Sequence, residues 1–190
     1  MMVKFTSNQK KRVNKMEKNI TKICSFYVSD WHLTAMLLPF IEEQVEKKEN
    51  LKTILQKNIV HNMKEILSRI RISERTKEEI IDIDWKNKNL IKYSEIRKYM
   101  DKITKNKKTL TLIIEGNKNR IEYVNQNIDR WIDKQEKKLE KKQIRIINCY
   151  EVTEFNENLQ EILDKHDKIL NTSGIHEIEE MYSGYTKKEA

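Results

Sequence analysis

Glycine is nearly missing from this chain, with three residues in 190, at positions 116, 174 and 184. That scarcity excludes the common nucleotide cradles. A dinucleotide fingerprint needs clustered glycines after a strand, and a phosphate loop needs a Gly-Lys-Ser/Thr triplet at a set distance from an earlier glycine. Gly116-Asn117-Lys118 superficially resembles part of a phosphate loop but lacks that spacing. The two cysteines, Cys24 and Cys149, both lie in apolar strand-like runs. They give no basis for a secreted disulfide framework, and reduced thiols are expected. No window holds the roughly 18 continuous apolar residues of a membrane span, and the basic N-terminus has no apolar signal-peptide core. The expectation is a cytoplasmic protein without a membrane partner.

Metal-ligand spacing is missing too, since Cys24, His32, Cys149 and His166 form no CxxC or HxxxH pair. A Cys149–His166 nucleophile and base is the nearest thing to a catalytic couple, but a mid-strand thiol is usually packed and inert. Asp82 and Asp84, two residues apart in a loop, read as capping or solvated carboxylates rather than an acid/base pair. No cofactor follows from the sequence.

What is present is charge and periodicity. Lys and Arg outnumber Asp and Glu by 38 to 30, but residues 1–22 hold seven basic residues against one acidic, so the net +8 falls to +2 over the rest. A duplex-binding surface needs its basic residues on the folded module. Any nucleic-acid contact is therefore assigned to the tail, residues 1–22, which is expected to be disordered. The folded part is residues 23–174, followed by a polar C-terminal tail, 175–190, in which Ile175, Ile178 and Met181 can make a turn or two of helix.

Within the folded part, ICSFYV (23–28), LKTIL (51–55), TLTLIIEG (109–116), IRIINCYEV (144–152) and KILN (168–171) read as strands, being rich in β-branched and aromatic residues. Helical spacing of apolar residues fills the intervals. Leu33, Leu37, Ile41 and Val45 make one stripe, interrupted by Pro39. Val60, Met63, Ile66, Leu67 and Ile70 make a second. A short helix then follows Ser73, and another is capped by Ser94. A long helix runs from about Asn119 to Lys142, its second half heavily charged. Five strands, each followed by helix, predict a three-layer α/β domain with a mainly parallel sheet and helices on both faces.

In such sheets ligands bind at the carboxyl ends of the strands. That rule places Tyr27, Asp30, Glu115, Tyr150, Glu151, Asn171 and Thr172 on a polar rim over an apolar crevice. Glu115 ends the cleanest strand, where it can hold a cation, a ligand hydroxyl or the amide groups of a neighbouring helix start. Three functions fit. They are a ligand sensor acting through a protein partner or self-association, an enzyme using Glu115 or Glu151 as acid/base, and an anion binder working through the tail.

Several segments, in order, resemble the MEDS domain, the methanogen/methylotroph sensory domain related to RecA- and KaiC-type ATPases. The run from Ile23 to Leu55 looks like the opening of that domain, with Pro39-Phe40 at its Pro-Phe pair. TLTLIIEG resembles its strand ending in an acidic residue, here Glu115. NCYEVTEF is similar to its Cys-x-Tyr-Asp segment followed by an aromatic, matched by Cys149, Tyr150, Glu151 and Phe155, and His166 stands at its closing helix. Lys22 stands where the family often has His, and Glu151 replaces Asp. The resemblance spans roughly residues 22–174 and implies a regulatory ligand-sensing domain built on an ATPase architecture without its phosphate loop.

Overall fold

The computed structural model describes residues 19–152 and 155–187, with backbone alone for 155–158. Most of the basic tail, and the side chain of Phe155, lie outside the described residues. Six strands form one sheet: β1 (Ile20–Tyr27), β2 (Leu51–Leu55), β3 (Thr109–Gly116), β4 (Gln143–Glu151), β5 (Lys168–Asn171) and β6 (Gly174–Glu177). Their order is β2-β3-β4-β1-β5-β6, parallel throughout except for the β5–β6 hairpin. The expected three-layer α/β architecture is present, with a sixth strand where a polar tail was read. Glu177 pairs with Lys168 in backbone register and in an ion pair of 2.6 Å, so a polar segment of low β propensity is held as an edge strand. The first strand also starts three residues earlier than its apolar run. Ile20 pairs with Ile144, and Lys22 is inside the sheet rather than in the tail.

Seven helices complete the described chain: α1 (Asp30–Glu46), α2 (Val60–Arg69), α3 (Glu74–Ile81), α4 (Tyr93–Thr104), α5 (Lys118–Leu139), α6 (Phe155–Asp164) and the short α7 (Ile178–Met181). Strand residues alternate between two faces, and the core divides accordingly. Ile23, Tyr27, Ile113, Ile147 and Cys149 pack under α1, α2 and α3. Cys24, Leu112, Ile114, Ile146 and Tyr150 pack under α4, α5 and α6. β3 and β4 lie inside the sheet and are buried almost end to end, as strands covered on both faces should be.

α1 runs unbroken through Pro39, which is on the exposed side where the carbonyl that loses its partner can be hydrated. Ser29 caps α1 by accepting from His32 N, and Ser73 caps α3 by accepting from Thr76 N. α4 departs from its expected start. Tyr93 is already helical, and the first turn is held by Glu95, whose carboxylate accepts from Ile91 N and Lys92 N.

Candidate functional site

The carboxyl ends of β1, β3 and β4 converge as parallel strands must, and alternation then sorts their side chains. Tyr27, Glu115 and Glu151 point to the α1 side. Tyr27 OH donates to Glu115 Oε1 at 2.7 Å, and Gln56 N and Lys57 N donate to Glu115 Oε2 at 3.0 and 2.9 Å. Glu115 is only 1% exposed. Its two oxygens hold the loop after β2 in place, which is the amide-anchoring role rather than that of an open ligand.

Lys57 closes the rest of the crevice. Its ammonium lies 3.2 Å from Asp30 and 3.5 Å from Glu151, and 5.2 Å from the centre of the Tyr27 ring. Burial pulls the Lys57 pKa down, but Asp30, Glu151 and Glu115 outweigh it and hold the group above its ordinary value. Burial, then the neighbouring Glu115 carboxylate, pushes the Tyr27 hydroxyl well above the usual phenol range. Four of the rim residues expected from the sequence, Tyr27, Asp30, Glu115 and Glu151, are thus brought together, but around an internal cation that the sequence reading did not include.

The other three go elsewhere. Asn171 and Thr172 line a groove with Pro39, Phe40, Gln44 and Arg145 beside the β5–β6 hairpin. The short β5 aligns with the middle of β1, Ile23 and Cys24, so its end does not reach the tip of the sheet. Tyr150 is one residue from Glu151 and therefore faces the opposite side, under α5 and α6.

On that opposite side a cleft of about 300 Å³ opens along the β1–β4 seam, lined by Lys22, Asn125, Asp129, Asn148, Tyr150 and His166 among others. Its floor is a buried polar chain. His166 Nδ1 lies 2.5 Å from Ile162 O, His166 Nε2 lies 2.8 Å from Asn148 Nδ2, and Asn125 Nδ2 donates to Asn148 Oδ1 at 3.0 Å and to Ile121 O at 2.9 Å. The His166 ring meets the Tyr150 ring edge-on at 5.9 Å. Burial lowers the His166 pKa to about 4, so the imidazole is neutral at pH 7. At the rim the charges cancel in pairs, Lys22 with Asp129 at 2.7 Å and Lys165 with Glu122 at 2.8 Å.

His166 was read from the sequence as solvated, and it is instead 2% exposed, because Asn148 offers it a partner from within the sheet. Asn125 and Asn148 were missed. The available signal was an amide inside the apolar run of β4, and another one turn from Ile121 on the apolar stripe of α5, since buried polar groups demand partners. A Cys149–His166 couple is ruled out by placement, for Cys149 packs under α1 and His166 lies across the sheet. Burial also raises both thiols, Cys24 to about 12. Asp84 pairs with Lys88 at 2.9 Å, as a surface carboxylate does. Among the described residues no group of His, Cys, Asp and Glu is arranged to hold a metal ion, and no helix is long and apolar enough to cross a membrane.

Compared with models of known protein families and with curated proteins, the chain matches none.

Proposed function

We propose that this chain is a non-catalytic ligand-sensing module that takes a small molecule into the cleft between α5, α6 and the β1–β4 seam and reports through protein contacts. One observation carries this reading. The crevice where an α/β enzyme would place its reacting groups is filled by Lys57, whereas space of ligand size, with a preorganised polar floor, opens on the other face of the same two strands. The resemblance to the methanogen/methylotroph sensory domain points the same way. Val28, Trp31 and Val152 are exposed apolar residues at the tips of β1 and β4. They offer a contact surface on the strands that border the cleft.

The test is a thermal-shift screen of metabolites, in which a ligand at 100 times its Kd adds about 2.7 kcal/mol of stability. Hits are expected to vanish in Gln126→Trp, which fills the cleft from its exposed rim, and to survive Lys57→Met. Hits that survive Gln126→Trp and vanish in Lys57→Met would move the ligand to the strand ends and refute the assignment. A screen without hits would refute the sensor reading.

A further inference from the structure

The hydrogen-bond polarity of the cleft floor is set from one end. Ile162 O is a carbonyl and only accepts, so His166 Nδ1 carries the proton that reaches it. A neutral imidazole then presents Nε2 as an acceptor, so Asn148 must turn its NH2 towards the ring and its carbonyl towards α5. That carbonyl calls for a donor. Asn125 supplies its NH2, an orientation that Ile121 O, another obligate acceptor, independently enforces. The far end of the relay is thus Asn125 Oδ1, which is buried and has no hydrogen-bond partner. It belongs to a residue that forms the cleft wall.

Resting on the sensor reading, we infer that the cleft selects a neutral molecule carrying an N–H donor, such as a primary amide or a ring lactam, which donates to Asn125 Oδ1. Two features argue against a charged ligand. The rim cations and anions neutralise one another in pairs, and the floor is amide and imidazole without net charge. The Tyr150 ring supplies apolar contact beside the relay. An acceptor held in a fixed orientation discriminates strongly against analogues that cannot donate, because binding them leaves it unmet in a dry site.

The experiment uses the full chain, labelled with 15N, and four neutral probes in two matched pairs, benzamide with N,N-dimethylbenzamide and uracil with 1,3-dimethyluracil, with benzoate as a charged comparison. Titrations follow the side-chain NH2 signals of Asn125 and Asn148. Benzamide or uracil is expected to shift both signals with an affinity at least tenfold above that of its methylated partner and of benzoate, and Asn125→Leu is expected to erase the difference within the pair. Methylated probes or benzoate that bind as well as the donors, while shifting the same signals, would overturn the donor rule and leave the cleft as a binding site. If no probe moves these signals, the cleft itself fails as the site, and the sensor reading fails with it. The comparison within each pair is made on the wild-type chain, so it stands even where Asn125→Leu folds poorly.

Discussion

Replacing Glu115 tests the architecture at its most concentrated point. Three donors converge on this one carboxylate, Tyr27 OH at 2.7 Å, Lys57 N at 2.9 Å and Gln56 N at 3.0 Å, in a place closed to water. Glu115→Ala strands all three. At about 1–3 kcal/mol for each stranded donor, the gross loss runs from ~3 to 9 kcal/mol. Release of a buried charge offsets part of it, leaving a net loss of roughly 3–5 kcal/mol, the range for breaking a buried charged network from one side. Glu115→Gln keeps a carbonyl for the two backbone amides, and the Tyr27 hydroxyl can turn to accept from the new NH2, so its expected loss is only about 1–2 kcal/mol. Tyr27→Phe removes one charge-assisted bond and is expected to cost about 2 kcal/mol in the wild type and almost nothing beside Glu115→Ala. Urea unfolding followed by far-UV circular dichroism and by the fluorescence of the buried Trp85 and Trp131 measures all four variants of this cycle, plus the Gln control. Equal losses for Ala and Gln, or additive effects of Tyr27→Phe and Glu115→Ala, would refute the claim that this carboxylate anchors the β2–α2 loop.

The remaining expectations concern pH and the helix proline. Burial depresses His166 from 6.5 to about 4, so between those values the unfolded chain binds a proton that the folded chain does not. Stability is therefore full above pH 6.5 and falls as the pH drops towards 4, by about 3 kcal/mol from this group. His166→Gln should remove that part of the slope, and parallel pH profiles for the two proteins would refute the assignment. Pro39→Ala restores a donor in the middle of α1 and removes the ring's clash with the preceding turn. It is expected to raise the urea midpoint, with a gain of about 1–2 kcal/mol after allowing for the freer unfolded chain. A lower midpoint would mean that Pro39 is favoured by packing rather than tolerated.

The strands and helices were readable because their signals are local. Ile113 and Ile114 sit in an apolar run that only a strand buried on both faces requires, and Leu33, Leu37 and Ile41 recur at the spacing of a helix. α3 was readable from Ser73 for the same reason, since a cap and its bond to Thr76 N span three residues. Gly174–Glu177 was not, because the pull that makes it a strand comes from β5 and not from its own polar residues. Lys92 and Ser94 show how small such errors are. A serine beside a helix start is a fair cap, yet Glu95 bonding back to Ile91 N and Lys92 N won the first turn.

Sequence alone settled the α/β class, the strand-end position of Tyr27, Glu115 and Glu151, and the lack of a glycine-built phosphate cradle, because periodicity and composition act over a few residues at a time. Tertiary structure alone decided that Lys57 would plug the strand ends, that Tyr150 would turn to the other face, and that Asn125, Asn148 and His166 would meet. Those partners are 18 to 94 residues apart in the chain. Their meeting depends on which strand lies beside which, and that order follows from the packing of the whole sheet rather than from any segment of it.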